Sequence, residues 1–138
     1  MRKKFQEIKN KIDKLRDENR FEEAIELIET ISEDERDLEL CIYHAQMFNN
    51  IAMITLGEYD KKSSHYKQND KDNENSTKVS YIQKAIDLLE DLKEKGKEDR
   101  FWNYRMAMAY YSMGHVLLNQ SFHYYSLALP YFKKFYEL

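Results

Sequence analysis

Residues 102–114 read Trp-Asn-Tyr-Arg-Met-Ala-Met-Ala-Tyr-Tyr-Ser-Met-Gly, and residues 128–132 read Ala-Leu-Pro-Tyr-Phe; these stretches decide the fold class. The earlier stretch at residues 81–89, Tyr-Ile-Gln-Lys-Ala-Ile-Asp-Leu-Leu, has the same character. In all three, small residues occupy positions where two helices can touch closely, and large apolar side chains fill the space beside them. This pattern predicts stacked helical hairpins, which more often bind other chains than catalyse reactions.

The composition favours a single all-helical domain. The chain has 138 residues, of which 42% are apolar and 34% charged, with only three Gly and one Pro. That length suits one domain over residues 1–138 with its own core, and the shortage of helix breakers favours helices throughout. The net charge of −3 provides no positive field for a phosphate backbone, so we expect no nucleic-acid partner.

Cysteine usage and the N-terminal residues bear on the compartment. Cys41 is the single cysteine, so an internal disulfide is excluded and a reducing compartment is permitted. The N-terminal residues turn charged at once and contain no apolar core of signal-peptide length. No stretch approaches the ~20 apolar residues of a membrane span. We therefore expect a cytoplasmic protein without a membrane partner.

The first two predicted helices form a pair of opposite charge. Apolar periodicity predicts one helix over residues 5–17 and a second over 21–31, joined by a turn in which Asn19 can close the first helix. Up to Arg16 the chain has seven Lys and Arg against two acids, whereas residues 21–39 have nine acids and one Arg. Opposite charges favour antiparallel pairing, although exposed ion pairs add little stability. The alternative is an ordinary solvated charged surface.

A long third helix and a polar stretch follow. The helix is predicted over about residues 35–56, with Ser32 as its N-cap and Gly57 at its end. Residues 61–78 contain one large apolar side chain, Tyr66, and cannot bury enough surface to offset the entropy of ordering them. We predict a mobile loop or a frayed helix extension there.

Two further helices are predicted before the last one. The first spans residues 79–95, and Gly96 ends it. The second starts at Glu98 or Asp99 and continues to about Gln120. These two helices contain residues 81–89 and 102–114, two of the stretches of small and large residues that predict close helix packing.

The last helix carries four aromatic side chains. Ser126 is its expected N-cap, which places Pro130 in the first turn, where a missing N–H costs little. Helical spacing puts three of the aromatics on one stripe facing the preceding hairpin: Phe132, Phe135 and Tyr136. Tyr131 is expected beside that stripe, towards the open end of the stack. A repeat stack that ends on apolar surface needs a cover, so we expect a second copy of the chain or further sequence to cover it.

The segments aligned on Ala24, Ala85 and Ala128 resemble the second helix of a tetratricopeptide repeat, in which a small residue is followed by an apolar residue four positions later. The stretch Tyr110-x2-Met113-Gly114-x2-Leu117 is similar to the aromatic-x2-Leu-Gly-x2-Tyr motif of that family's first helix. The resemblance covers most of the chain, is strongest to tetratricopeptide segments of poorly characterised bacterial proteins, and implies a right-handed α-solenoid of three helical hairpins. The alanines lie farther apart than the family period of about 34 residues, which implies an insertion and longer helices in the second repeat.

The resemblance also implies a non-enzymatic scaffold that binds a protein or peptide segment on the concave face of the first helices. The residues themselves offer no catalytic motif, because neither a Gly-rich phosphate loop nor Gly-x-Ser-x-Gly occurs. Cys41-x2-His44 has metal-like spacing, but no second pair completes a zinc site, so we expect no metal or cofactor. The Lys and Asn pattern by which the family captures a C-terminal carboxylate is absent, and such capture is not predicted.

Aromatic residues are concentrated near the C-terminus, where twelve of nineteen lie from residue 101 onward. One helical stripe, which includes Trp102, Met106 and Tyr110, is predicted to be core. The neighbouring stripe places Arg105 among tyrosines, a combination that interfaces favour. The candidate groove residues are Phe101, Tyr104, Arg105, Met108 and Tyr111, with Met47, Phe48 and Ile51 from the preceding hairpin. The alternative function is a structural or assembly module without a ligand groove, such as a homodimer held by its C-terminal hairpin.

Overall fold

The structure is a computed structural model in which the backbone is described for residues 2–55 and 68–138, and the side chains for residues 6–53 and 76–138. This part of the chain is all-α, as the sequence predicted, and contains seven α-helices and no strand. The α-helices are α1 (Arg2–Asp17), α2 (Phe21–Glu29), α3 (Leu38–Asn50), α4 (Gln68–Asp91), α5 (Lys93–Gly96), α6 (Arg100–Val116) and α7 (Ser121–Glu137). Short 3₁₀ helices occur at Glu33–Glu35 and Leu118–Gln120, and a π-helical segment at Ile51–Thr55 continues α3.

The turn between α1 and α2 forms as the sequence predicted. Asn19 has φ 61°, in the left-handed region that Asn tolerates better than most residues. Its N–H donates to the Arg16 carbonyl at 2.9 Å, and the Arg20 N–H donates to the Leu15 carbonyl at 2.8 Å. These bonds satisfy the last carbonyls of α1. The chain therefore reverses direction within three residues, and α2 packs against α1.

The first three helices share one buried cluster of apolar side chains. Helical spacing places apolar residues of α1 and α2 on facing sides, and α3 covers them. The cluster comprises Ile12, Phe21, Ala24, Ile25, Ile28, Ile31, Leu40, Met47 and Ile51. Met47 and Ile51, which the sequence suggested as groove residues, are 0% and 2% exposed, so they belong to this core.

The N-cap of α3 is Asp37, which corrects the assignment to Ser32. The Asp37 Oδ1 atom accepts the Leu40 N–H at 2.9 Å, whereas Ser32 precedes the short 3₁₀ helix and makes no side-chain cap bond. Lys9 of α1 donates to Asp37 Oδ2 and to Glu39 Oε2, both at 2.8 Å. Asp37 is therefore bonded both within α3 and to a helix distant in sequence. The Lys9 contact joins the basic first helix to acids at the start of α3.

The polar stretch is partly described. Residues 68–78, which the sequence placed in a mobile loop or frayed extension, form the first part of α4. Residues 61–67, like Gly57, lie outside the described residues. From Val79 onward, α4 has the apolar face predicted for it, and it packs on both α3 and α6.

The last two helices meet at a tight turn that the sequence analysis misplaced. Asp99 caps α6 as one of the two predicted starts, but α6 ends at Val116 and α7 already begins at Ser121. The Ser121 Oγ–H donates towards the Gly114 carbonyl at 2.6 Å, a bond that ties the turn to the end of α6. Ser126 is therefore not a cap, and Pro130 lies inside α7. Its ring removes one helical N–H, on a side of α7 where Pro130 is exposed.

Trp102 anchors α6 against α4. Its ring is 1% exposed, and its Nε1–H donates to the Leu89 carbonyl at 2.8 Å. Tyr131 packs edge-on against the Trp102 ring, with centroids 5.8 Å apart, and stacks on Tyr110 at 5.9 Å. Tyr131 therefore faces inward onto α6, which corrects the expectation that it lies towards an open end. Ile42 and Ala45 of α3 share a buried cluster with Trp102, so α3 also contacts this side of α6.

Candidate functional site

The candidate site is a concave pocket of about 610 Å³ formed by α1, α3 and α6. Ligand pockets in proteins commonly have volumes of this order. Its lining residues are Arg16, Asp37, Leu38, Glu39, Ile42, Tyr43, Gln46, Asp99, Phe101 and Arg105. One side chain comes from α1, six from the start and first half of α3, and three from the start of α6. The pocket thus lies where three helices that are distant in sequence meet.

Helical spacing explains why these side chains converge. Leu38, Ile42 and Gln46 are four residues apart, so they form one ridge on α3. Phe101 and Arg105 are also four apart and form the facing ridge on α6. Both ridges begin next to the N-cap of their helix, so the two helix starts lie on the same side of the molecule.

Two arginines lie over tyrosine rings at the pocket. The Arg16 guanidinium is 5.5 Å from the centroid of the Tyr43 ring, and the Arg105 guanidinium is 4.9 Å from the centroid of the Tyr104 ring. Such contacts fix the orientation of the planar guanidinium group. Arg16 also pairs with Asp13 at 3.1 Å. The two cations therefore differ, since among the described side chains a carboxylate pairs with Arg16 and none with Arg105.

Arg105 is half-buried and has no counter-ion among the described side chains. Among the residues whose side chains are described, no carboxylate forms an ion pair with its guanidinium. Burial lowers the pKa of Arg105 below its ordinary value, because the charged form is partly removed from water. A guanidinium remains protonated at neutral pH even so. The pocket thus contains a charged donor group whose hydrogen bonds are not used by a protein carboxylate.

The carboxylates around the pocket are already engaged. Asp37 and Glu39 both accept from Lys9, and Asp37 also caps α3. Burial raises the pKa of Asp37, but the bonds from Lys9 and the Leu40 N–H outweigh this effect and lower it overall. Asp99 accepts the Trp102 N–H at 2.9 Å as the cap of α6. The three acids therefore serve helix starts and Lys9, and none of them neutralises Arg105.

Gln46 adds an unsatisfied polar atom to the pocket wall. The residue is 7% exposed, and its Oε1 atom has no hydrogen-bond partner among the described residues. Buried side-chain oxygens are usually hydrogen-bonded, because an unmet acceptor costs free energy. The Oε1 atom itself is enclosed, so a ligand N–H could supply the missing bond only after the Gln46 side chain turns towards the pocket.

The structure separates the predicted groove residues into several groups. Phe101 and Arg105 line the pocket, and Tyr104 lies under the Arg105 guanidinium and packs against the Phe135 ring at 5.1 Å. Met108 is half-buried outside the lining, and Tyr111 stacks on Tyr125 at 5.1 Å.

The three candidates from α3 and its continuation lie elsewhere. Met47 and Ile51 are in the core of α1, α2 and α3. Phe48 stacks on Tyr81 and lines a separate, shallow depression with Lys84. The residues of α3 that do line the pocket, Ile42 and Gln46 among them, were missed. Their spacing of four was visible in the sequence, but the neighbouring stripe is equally apolar.

The Cys41 and His44 pair has a structural explanation. His44 Nε2 lies 3.0 Å from Glu29 Oε1, which links α3 to α2, and its ring packs near Phe48. Burial lowers the pKa of His44, and the bond with Glu29 opposes this effect only in part. Burial raises the pKa of the Cys41 thiol, which disfavours the reactive thiolate. Within the described ranges, no group of three His, Cys, Asp or Glu side chains could hold a metal ion.

The fold and the pocket together define the class of protein. It is an all-helical protein with a concave site built from the starts of α3 and α6 and the end of α1. Comparison of the chain with protein-family models, curated proteins and solved structures found no match. In residues 2–55 and 68–138, no helix is long and apolar enough to cross a membrane.

Proposed function

We propose that the chain is a non-enzymatic scaffold that binds a protein or peptide segment in the pocket between α1, α3 and α6. In this interpretation it is a tetratricopeptide-like stack of three hairpins, α1–α2, α3–α4 and α6–α7, working in the cytoplasm. One observation carries the proposal: the three pocket walls come from α1, α3 and α6, each the first helix of a different hairpin in this interpretation. That is the face on which stacked hairpins present an extended binding surface.

The composition of the pocket supports a peptide as the ligand. Apolar walls from Leu38, Ile42 and Phe101 alternate with the polar groups of Gln46 and Arg105. Peptides offer the same mixture, with apolar side chains, N–H donors and charged groups at short spacing. Phe101 is 61% exposed, so a large apolar side chain stands at the edge of the pocket, where an interface could bury it.

The test begins with selection of binders from a random peptide library on the immobilised chain. Affinities of the selected synthetic peptides are then measured by fluorescence anisotropy for the wild type and two variants. Phe101→Glu changes the edge of the pocket, and Phe122→Glu changes a Phe on α7 that is 87% exposed. We expect Phe101→Glu to weaken binding by about tenfold or more and Phe122→Glu by less than about twofold. Binding that survives Phe101→Glu unchanged would contradict the proposal.

A second candidate function is assembly through α7. Its three most exposed large apolar side chains are Phe122 at 87%, Tyr136 at 79% and Leu129 at 65%. They are seven residues apart, so they lie along one side of the helix, as in the seam of a helix pair. The exposed residues of α1 include Glu7, Lys11 and Lys14, so the other end of the described chain is polar.

This asymmetry favours a homodimer through the C-terminal hairpin. Two copies of the chain can bury the exposed apolar side of α7 against each other. The same surface then contacts itself across a two-fold axis, which gives a closed dimer. Sedimentation at micromolar concentration should then show a dimer that Leu129→Glu converts to a folded monomer. Tyr131→Glu is not a suitable variant, because Tyr131 packs against Trp102. A wild-type chain that sediments as a monomer excludes this alternative at that concentration.

A further inference from the structure

The charges at the pocket do not balance around Arg105. Lys9 bonds to both Asp37 and Glu39 on one wall and offsets one of their two negative charges, and Asp13 pairs with Arg16 on another. Among the described side chains, Arg105 alone of the cations at the pocket stands over a ring without a carboxylate partner. A half-buried guanidinium without an anion is unfavourable, because it has lost part of its hydration and gained no hydrogen-bonded partner.

We propose that the pocket recognises an acidic side chain, Asp or Glu, of the bound peptide, with Arg105 binding the carboxylate and Gln46 Oε1, once its side chain turns towards the pocket, accepting a peptide N–H. This inference rests on the proposed peptide-binding function and adds the chemistry of the ligand. A carboxylate can bond to two guanidinium N–H groups in parallel, and charge-assisted bonds of this kind are strong in a partly desolvated site.

The neighbouring acids favour a carboxylate over a phosphate. Asp37, Glu39 and Asp99 line the same pocket, and a doubly charged phosphate would be repelled by them more strongly than a singly charged carboxylate. Arg105 is the single unpaired cation that the described lining offers, which matches one negative charge. The exposed Phe101 precedes Arg105 by one helical turn, so the carboxylate must reach past an aromatic edge to the half-buried guanidinium. An acidic group on a side-chain stem can do so.

Gln46 gives the inference a second observation, which does not depend on charge. The Gln46 residue is more than nine-tenths buried, and its enclosed Oε1 atom has no hydrogen-bond partner among the described residues. Replacement by Leu, which has a similar size, would remove an unmet acceptor and should stabilise the free protein. The same replacement should weaken peptide binding. Opposite effects on stability and affinity are expected of a group retained for a ligand, and a merely structural residue would not show them.

The experiment uses the library-selected peptides, displayed so that their C-termini are blocked. We expect one position to be enriched in Asp or Glu. A synthetic peptide with that acid and its copy with the matching amide (Glu→Gln or Asp→Asn) are compared on the wild type, Arg105→Gln and Arg100→Gln. Arg100 is the matched control, because it is exposed and lies over the Phe135 ring outside the pocket lining.

The expected result is a double-mutant cycle with strong coupling at Arg105 only. Loss of the peptide acid should weaken binding about tenfold for the wild type and Arg100→Gln, and less than about twofold for Arg105→Gln. Gln46→Leu should raise Tm and weaken binding. If Arg105→Gln does not fold, ¹⁵N spectra of the wild type decide, because the Arg105 Nε–H signal should shift with the acidic peptide and not with its amide copy.

The outcomes separate this inference from the proposed function. Two outcomes overturn the inference but not the proposed peptide binding. In the first, peptides require Phe101 but show no preference for an acid; in the second, the effect of the peptide acid persists in Arg105→Gln. Peptides insensitive to Phe101→Glu overturn both. A preference that appears only in peptides with a free C-terminal carboxylate, and disappears on amidation, also overturns it, because the carboxylate then comes from the chain end.

Discussion

Gly96 is the residue whose substitution tests most directly how α6 is held in place. It is buried at the end of α5, and a Cβ atom built on it would collide with the five-membered ring of Trp102, coming within 2.8 Å of Cδ2 and closer to Cγ and Cδ1. The Trp102 ring cannot easily move away, because it is 1% exposed and its Nε1–H is bonded to the Leu89 carbonyl at 2.8 Å. Gly96 does not have a positive φ, so the cost of Gly96→Ala is one of packing and not of backbone strain.

The magnitude follows from two opposing effects. Overpacking a rigid core costs about 1–3 kcal/mol. Removing a glycine from a helix restores up to about 1 kcal/mol, and less at the last residue of a helix such as Gly96. We expect Gly96→Ala to lower the free energy of unfolding by about 1–2 kcal/mol. For a chain of 138 residues this corresponds to a fall in Tm of roughly 3–10 °C.

Two measurements check this prediction. Thermal unfolding followed by circular dichroism gives Tm, and fluorescence follows Trp102, the chain's only tryptophan. Gly114→Ala is the control, because its added Cβ would meet the Tyr125 ring, whose residue is only half-buried and can shift more easily. We expect a smaller fall in Tm and unchanged Trp emission for the control. A Gly96→Ala variant with wild-type Tm and emission would show that the Trp102 pocket is looser than described, and the fixed orientation of α6 would lose its support.

Three further predictions concern the elements around the pocket. Asp37→Asn should keep the α3 cap and cost about 0.2–1 kcal/mol for the exposed ion pair with Lys9, whereas Asp37→Ala should cost about 1 kcal/mol more; equal urea midpoints for the two variants would argue against the cap. His44 has a lowered pKa in the folded state, so folding favours its neutral form. Its contribution to the free energy of unfolding is therefore complete above its unfolded pKa near 6.5 and is lost as the pH falls below that value. Urea midpoints should therefore fall between about pH 7.5 and 5.5, and the slope should flatten in His44→Gln but not in a variant of the exposed His115. Ala128→Leu should overpack a site that is 1% exposed and cost about 1–3 kcal/mol; an unchanged melt would remove the close contact assigned to Ala128.

The sequence predicted the elements whose signals are local. The left-handed Asn19 turn and the Asp99 start of α6 each depend on a few adjacent residues, and the all-α class follows from the shortage of helix breakers along the chain. The structure confirms all three. The N-cap of α3 could not be chosen in the same way. Ser32 offers a complete capping box, but the cap is Asp37, whose second carboxylate oxygen also bonds to Lys9 on another helix.

The missed pocket residues have a different cause. α3 is apolar on two sides, since one side joins the core with α1 and α2 and another faces α4 and α6. Periodicity then shows that α3 is a buried helix but cannot tell which stripe borders a cavity. Met47 and Gln46 differ by one position and occupy opposite situations, one in the core and one on the pocket wall. On α6 the two stripes could be told apart, because the stripe with the charged Arg105 is expected at the edge of the core and not inside it.

The electrostatic character of the pocket also depends on structure more than on composition. A count of its ionisable side chains gives three acids against two arginines, which alone would predict weak attraction for an anion. Two of the acids, Asp37 and Asp99, sit at the N-termini of α3 and α6, where their charges offset the partial positive charge of the helix ends. Lys9 offsets one of the two negative charges that Asp37 and Glu39 carry. Among the described pocket residues, Arg105 is the cation that no carboxylate pairs with, so at this point a ligand would meet a local positive charge, opposite in sign to the net charge of the whole chain.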